Sequence, residues 1–211
     1  MKLKDIRRDY SQAKLNEHNI SPNPVQQFQD WMNQALEANI RDATAMSLVT
    51  VGKDGFPQSR IVLLKDFEQE GFTFFTNYRS EKGMAIEANP KISLHFFWPE
   101  LERQIRISGI ACKTSLVISK KYFHSRPQKS QIAASISEQS SVVQSREFLE
   151  NKFAEYAEEL NGKNPDYPEN WGGYLVEPVK FEFWQGRENR LHDRIVYEKT
   201  DDEWKIKRLA P

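Results

Sequence analysis

Cationic and aromatic side chains are concentrated near the C-terminus, in the stretch FWQGRENRLHDR from Phe183 to Arg194. If the second half of this stretch is a strand, Arg190, His192 and Arg194 share one face, because side chains alternate along a strand. Three potential cations on one face repel each other unless an anion lies among them. Trp184 could cover an aromatic ring. The stretch therefore predicts a pocket for a phosphorylated aromatic ligand, and the alternative is a solvated hairpin.

Two further stretches carry cations that could bind an anion. RIVLLK begins at Arg60 and ends at Lys65, and a bulge is needed to bring both side chains to one site. Solvated edge charges are the alternative. Lys82 follows Ser80 at the start of a predicted helix, where unpaired amide groups attract anions. An ordinary N-cap by Ser80 explains the same residues.

Tyr122, Arg126 and Ser130 are spaced four residues apart in SKKYFHSRPQKSQ. On one continuous helix they would offer a guanidinium and two hydroxyls to a phosphate from one face. Pro127 interrupts that helix, so the three share a face only if the next turn restarts at the proline.

Other kinds of site find little support in the sequence. The four histidines are scattered, and no pair has metal-ligand spacing with a carboxylate, so we expect no metal site. The single Cys112 excludes an internal disulfide, and a small buried or strand residue is its expected role. No nucleophile elbow or phosphate-binding loop with lysine is present.

The composition is that of one globular domain. The 211 residues are 38% hydrophobic and 12% aromatic, and 30 Lys and Arg balance 30 Asp and Glu. This neutrality argues against binding nucleic acid or a membrane through net charge. The N-terminus lacks the apolar stretch of a signal peptide, and no stretch reaches the length of a membrane span, so we expect a cytoplasmic protein.

The elements that must position these residues are mostly strands. Residues 1–23 are polar and read as a flexible segment, and residues 24–211 read as one domain that begins with a helix capped by Asn23. The predicted strands cover 44–51, 57–65, 71–77, 91–98, 102–114 and several runs after residue 171, with a short helix after Ser80 and helical segments around 119–135 and 144–161. The pattern favours a mainly β fold, an antiparallel barrel with peripheral helices.

Several motifs, taken in order, resemble one known family, the FMN-dependent pyridoxine (pyridoxamine) 5′-phosphate oxidases. The motifs are RRDY (7–10), RIVLLK (60–65), FFTN (74–77), ERQIRISG (102–109), KYFHSRPQKSQI (121–132), EQSS (138–141), EFWQG (182–186), RLHDR (190–194) and the terminal WKIKRLAP. The resemblance implies an FMN-binding split β-barrel and a homodimer with FMN in clefts at the subunit interface.

The resemblance also implies roles for individual residues. The FMN site would comprise Arg60, Val62, Leu63, Lys65, Phe75, Thr76, Lys82, Gln104, Gln139, Ser140, Trp184 and Arg194. The substrate site would comprise Arg7, Arg8, Tyr10, Lys65, Tyr122, Arg126, Ser130, Arg190 and His192. Arg190 and His192 are the expected catalytic pair over the pyridine ring, and Arg7 to Tyr10 would form a flap. Arg187, in the turn, would be a solvated charge.

The implied reaction oxidises pyridoxine or pyridoxamine 5′-phosphate to pyridoxal 5′-phosphate. Dioxygen reoxidises the flavin and yields H₂O₂, and the amine substrate also releases ammonia. Since the cofactor carries the difficult step, the absence of a nucleophile or metal pattern is expected. Two alternatives are a non-catalytic carrier of FMN or pyridoxal phosphate and a split-barrel flavin oxidoreductase with another substrate.

Two positions depart from the family pattern. Phe75 stands where tyrosine is common, and Glu81 stands beside Lys82 where many members carry arginine or lysine. A carboxylate beside a phosphate dianion is unfavourable. We therefore expect Glu81 to turn away and the phosphate to lose one partner.

Replacing Glu81 by lysine should strengthen FMN binding, because it removes a negative charge and restores a second cation at the phosphate. The measurement is the dissociation constant of FMN for the Glu81→Lys and unmodified apoproteins. An unchanged or weaker affinity in the variant would contradict this expectation.

Overall fold

A computed structural model describes residues 3–5, 9–201 and 203–211. The helices in this part of the chain are α1 (Pro24–Glu37), α2 (Glu81–Ala88), α3 (Leu116–Ser125), α4 (Gln128–Ile136) and α5 (Arg146–Glu159). The strands are β1 (Ala45–Val51), β2 (Pro57–Leu63), β3 (Asp66–Glu68), β4 (Gly71–Asn77), β5 (Lys91–Trp98), β6 (Arg103–Lys113), β7 (Trp171–Gln185), β8 (Asp193–Thr200) and β9 (Glu203–Arg208).

The strands form one antiparallel sheet with helices outside it, which confirms the expected mainly β architecture. The main strand order is β2-β1-β5-β6-β7-β4-β3, and β8 pairs with both β7 and β9. β7 is a single strand of 15 residues rather than the two shorter runs that the sequence indicated. It pairs with β6 along one side and with β4 and β8 on the other.

Alternating side chains on these strands build the core. On β6, Arg103, Ile105 and Ile107 are buried, as the alternation predicts. Helix α1 begins as expected, with the Asn23 side chain accepting hydrogen bonds from the N–H groups of residues 25 and 26. Phe28 on α1 is fully buried and packs edge-on against rings of the sheet. Burying such a side chain contributes about 1.5–3 kcal/mol.

The helical region after β6 breaks where Pro127 lies. α3 ends at Ser125, Arg126 is extended, and α4 begins at Gln128. The Gln131 side chain stabilises the break by donating to the carbonyls of Arg126 at 2.7 Å and His124 at 3.2 Å. The break follows from the proline ring, which is incompatible with a continuous helix.

The turn between β7 and β8 contradicts one sequence prediction. Residues 190–194 are not a continuous strand, because Glu188–Arg190 is a 3-10 turn and β8 begins only at Asp193. Asn189 and Arg190 both have left-handed backbone angles, with φ of 55° and 61°. The simple alternation of Arg190, His192 and Arg194 on one face is therefore wrong.

The described N-terminal residues 9–23 lie against the barrel. Leu15 is buried, and its N–H donates to Asp193 Oδ2 at 3.1 Å. Arg208 joins the same region, donating to the Leu15 carbonyl at 2.9 Å and to both carboxylate oxygens of Glu17. These contacts hold the segment that carries Tyr10, and any movement of this segment as a flap stays a prediction.

Gly83 allows helix α2 to approach the backbone of Tyr78. An added Cβ there would lie 2.2 Å from the Tyr78 carbonyl oxygen.

Alanine is the better helix former by about 1 kcal/mol, but overpacking against main chain commonly costs about 1–3 kcal/mol. Gly83→Ala should therefore lower the free energy of unfolding, measured by denaturant titration. Met84→Ala, at an exposed position of the same helix, is the control, and a stabilised Gly83→Ala protein would contradict the prediction.

Candidate active site

The first group of site residues, here called the phosphate pocket, lies beside the N-terminus of α2. Gln58, Ser59, Arg60, Glu81, Lys82 and Ser140 line a cavity of about 460 Å³. Lys82 Nζ donates to Gln139 Oε1 at 3.0 Å, and Thr76 Oγ1 donates to the same oxygen at 3.0 Å. The structure thus brings together five of the residues expected to bind the cofactor, from β2, β4, α2 and the loop after α4.

Neither cation of the phosphate pocket pairs with a carboxylate of the described residues. Arg60 Nη1 donates to Thr50 Oγ1 at 2.7 Å and to the Gln58 carbonyl at 3.0 Å, both neutral acceptors. Burial lowers the pKa of Arg60, and burial together with the charge of Arg60 lowers the pKa of Lys82. Two partly desolvated cations that form no ion pair with a carboxylate of the described residues make a site that is suited to an anion.

Glu81 lies closer to the phosphate pocket than expected. It lines the cavity, and its N–H donates to Ser140 Oγ at 3.3 Å. Its charge opposes the lowering of the pKa of Arg60 and of Lys82. The carboxylate therefore acts on both cations, so the expectation that it turns away from the site finds no support.

The second group is a stack of aromatic rings that carries Arg126. The Phe75 and Tyr122 rings lie 3.9 Å apart at 20°, and both are nearly parallel to Trp171. The Arg126 guanidinium lies 4.7 Å from the Trp171 ring centre. Its Nη1 atom is buried and has no hydrogen-bond partner among the residues that the structure describes. A buried guanidinium nitrogen without an acceptor is costly and indicates a missing anionic ligand.

Of the other residues expected at the substrate phosphate, only some lie together in one cavity. Lys65 and Tyr122 line one cavity of about 640 Å³, together with Phe75. Ser130 lies on the first turn of α4, beyond the break at Pro127, and its N–H donates to the Pro127 carbonyl at 2.8 Å. The face shared by Tyr122, Arg126 and Ser130 is therefore not that of one continuous helix.

The third group, here called the C-terminal cluster, contains Trp184 and His192. Their ring centres lie 4.7 Å apart, and Tyr10 packs edge-on against both at 5.8 and 5.6 Å. The His192 Nδ1 atom accepts a hydrogen bond from the Arg187 N–H at 3.1 Å. A neutral His192 ring therefore carries its proton on Nε2, where it can donate to a ligand.

Three arginines near the cluster have carboxylate partners that sequence reasoning missed. One carboxylate oxygen of buried Glu182 accepts a hydrogen bond from Arg194 Nε at 2.9 Å, and the other oxygen accepts one from Arg106. Burial alone would raise the Glu182 pKa, but the two arginines outweigh it and lower that pKa. Arg187 was expected to be solvated, which is wrong: it pairs with Asp193 at 3.1 Å. The register of β6, β7 and β8 creates the two pairs of Glu182, and the β7–β8 turn brings Arg187 to Asp193; the sequence shows neither.

A small cavity of about 170 Å³ collects the expected cofactor residues of this end of the molecule. Gln104, Arg106, Glu182, Trp184, Arg194 and Pro211 line it. The phosphate pocket, the 640 Å³ cavity and this one have no lining residue in common. Val62 and Leu63 lie on β2, at the end of the sheet order. Arg7 and Arg8 lie outside the described residues.

Residues 3–5, 9–201 and 203–211 contain no group of three or more His, Cys, Asp or Glu side chains placed to hold a metal ion. In the same residues, every helix is too short or too polar to span a membrane.

His192 should titrate below its ordinary pKa of 6.5, because burial and the charge of Arg190 both disfavour the imidazolium. Arg190→Ala should raise the His192 pKa by removing the repulsion. The measurement is the NMR chemical shift of the His192 ring against pH in each protein. Lys53→Ala, which removes a charge in the distant β1–β2 turn, is the control. A His192 pKa that stays the same or falls in Arg190→Ala would refute the assignment.

Comparison with known proteins places this geometry in a family. The family model described as pyridoxamine 5′-phosphate oxidase matches residues 32–159, and the one described as the pyridoxine 5′-phosphate oxidase C-terminal dimerisation region matches residues 171–211. The chain is 51% identical over 210 residues to a pyridoxine/pyridoxamine 5′-phosphate oxidase of Flavobacterium johnsoniae, covering 99% of this chain and 98% of the relative. It is 47% identical to one of Leptospira interrogans, covering 100% and 99%.

Solved structures agree with the fold. A PhzG protein of Burkholderia lata, in complex with tetrahydrophenazine-1-carboxylic acid, superposes with a TM-score of 0.87 at 29% identity, covering 92% of this chain and 95% of that one. A pyridoxamine 5′-phosphate oxidase-related, FMN-binding protein of Nostoc punctiforme has a TM-score of 0.71 at 18% identity, covering 87% and 97%. The expected split-barrel fold is confirmed. The chain belongs to the pyridoxine/pyridoxamine 5′-phosphate oxidase family.

Proposed function

We propose that this protein oxidises pyridoxine or pyridoxamine 5′-phosphate to pyridoxal 5′-phosphate, with FMN as cofactor and O₂ as electron acceptor. The reaction class follows from the family. The single structural observation that carries the assignment to a phosphorylated substrate is the buried, unpartnered Nη1 atom of Arg126. It gives the chain a second anion site, separate from the phosphate pocket.

The residues present fit FMN. Arg60 and Lys82 supply two cations without carboxylate partners, and Ser140 adds a hydroxyl beside them, which suits a phosphate dianion. Trp184 offers an aromatic face, and Gln104 and Arg194 offer donors around one cavity, which suits a flavin ring. The chemistry that FMN would supply when bound is acceptance of a hydride from the exocyclic carbon of the substrate, after which O₂ would oxidise the reduced flavin and itself be reduced to H₂O₂.

A second subunit would complete the site. Residues 171–211 match the dimerisation region of the family and include Trp184, His192 and Arg194. Ile61 on β2 and Phe97 on β5 are apolar side chains exposed to 67% and 53% in one chain. We propose a homodimer that covers these two side chains and places the C-terminal cluster of one subunit opposite the phosphate pocket of the other.

The chain's own residues would bind and orient the substrate. Arg126 would receive the substrate phosphate on its free Nη1, with Lys65, Tyr122 and Ser130 completing the phosphate site. His192, kept neutral by its lowered pKa, would donate Nε2–H to the pyridine ring. Arg190 would lie beside it, and Tyr10, against Trp184 and His192, would exclude water.

The decisive experiment adds pyridoxamine 5′-phosphate to the FMN-loaded protein and measures H₂O₂, ammonia and pyridoxal 5′-phosphate. Equal yields of the three products are expected. Bound FMN without product would support the carrier alternative. Turnover of another reductant, with pyridoxamine 5′-phosphate inert, would support a split-barrel oxidoreductase of different substrate.

Arg126→Met should lower kcat/KM for pyridoxamine 5′-phosphate by about ten- to a hundredfold, since a charge-assisted hydrogen bond contributes roughly 1.5–3 kcal/mol. FMN affinity should stay unchanged, because Arg126 is not in the phosphate pocket. Arg146→Met, on the exposed face of α5, is the matched control. Equal losses for phosphorylated and unphosphorylated pyridoxamine would show that Arg126 does not read the phosphate.

A further inference from the structure

His95 on β5 contacts Gln104 on the neighbouring strand β6. The His95 Nε2 and Gln104 Oε1 atoms lie 3.1 Å apart. In the β5–β6 register, His95 is opposite Arg106 and Phe97 is opposite Gln104, so the contact is a diagonal one. Both side chains are half-buried on the face opposite the core, since Leu94, Phe96, Ile105 and Ile107 point inward.

This contact restricts what the Gln104 amide can offer. A glutamine amide has one acceptor oxygen and an NH₂ group with two donors, and a neutral histidine can donate from Nε2. When His95 donates to Oε1, it fixes the orientation of the amide, so that the NH₂ group is directed away from His95 and remains for another partner. No protein acceptor within the described residues takes a hydrogen bond from the Gln104 NH₂ group.

The free NH₂ group belongs to a residue of the small cavity that also contains Trp184 and Arg194. A flavin ring has carbonyl oxygens and ring nitrogens that accept hydrogen bonds, and such bonds tune its electronic properties. A donor is therefore the complementary group at this position, and an amide that rotated freely would present its oxygen part of the time.

We propose that His95 is a positioning residue for the cofactor site: it holds the Gln104 amide with its NH₂ group directed at an acceptor of the flavin. This inference rests on the proposed function, because it requires Gln104 to contact FMN. His95 itself would not touch the cofactor and would act only through Gln104.

The experiment compares four proteins: the unmodified chain, His95→Leu, Gln104→Leu and the double variant. FMN is titrated into each apoprotein and its fluorescence quenching gives the dissociation constant, and the visible absorption spectrum of each loaded protein is recorded. Ser93→Ala, on the same face of β5 two residues earlier, is the matched control. Circular dichroism checks that each variant folds.

Gln104→Leu should weaken FMN binding and shift the visible spectrum. His95→Leu should do both in the same direction, with a loss of affinity of about two- to tenfold, as for one ordinary hydrogen bond. The double variant should match Gln104→Leu alone, because His95 acts through Gln104. His95→Gln, which keeps a side-chain donor, should recover part of the affinity.

Two results would overturn the inference and leave the proposed function intact. One is a His95→Leu protein with the FMN affinity and spectrum of the unmodified chain while Gln104→Leu is altered. The other is full additivity in the double variant. A Gln104→Leu variant with unchanged FMN affinity and spectrum would show that Gln104 does not contact the cofactor, and this result would also overturn the inference. Failure of the unmodified protein to form pyridoxal 5′-phosphate is a separate result that bears on the function alone.

Discussion

The antiparallel pairing of β6 with β7 fixes the phosphate pocket and the C-terminal cluster relative to each other within one subunit. The ladder runs from Arg103 opposite Gln185 to Lys113 opposite Tyr174, with one register shift at Ser108 and Gly109. On its other side, β7 pairs with β4 in its first half and with β8 in its second half. β4 carries Thr76 and β8 carries Arg194, and these two strands therefore pair with opposite halves of the same strand, β7. A one-residue slip of β7 in this ladder would turn Trp184 into the core.

The strand register separates cationic side chains that pair with a carboxylate from cationic side chains that do not. Arg106 and Arg194 share Glu182, Arg187 pairs with Asp193, and Arg208 binds both Asp193 and Glu17. Arg60, Lys82 and Arg126 have no carboxylate partner within the described residues. In a chain with equal numbers of acidic and basic residues, a cation without a carboxylate partner that also lines a cavity, as Arg60 and Lys82 do, is the kind that we propose for anionic ligands. Net charge carries no such information, because it averages over both classes.

Orientation of the donors depends on neighbouring side chains as much as on the donors themselves. Glu182 holds Arg194, the Arg187 N–H selects the His192 tautomer, and His95 contacts the Gln104 amide. Each of these partners lies on an adjacent strand or across a turn. They are the features that sequence reasoning missed, because a contact between strands requires the register and no local pattern encodes it.

Local patterns in the sequence determined most of the elements, since capping and periodicity depend on residues only a few positions apart. The Asn23–Pro24 helix start, the buried alternation of β6 and the cap at Ser80 are examples. The family motifs likewise pointed to the fold that the comparisons confirm. The tertiary structure decided the turn at Glu188–Arg190 and the partners of Arg187 and Arg194. These depend on packing, left-handed backbone angles and ion pairs between distant residues, and such long-range free energies override local preference.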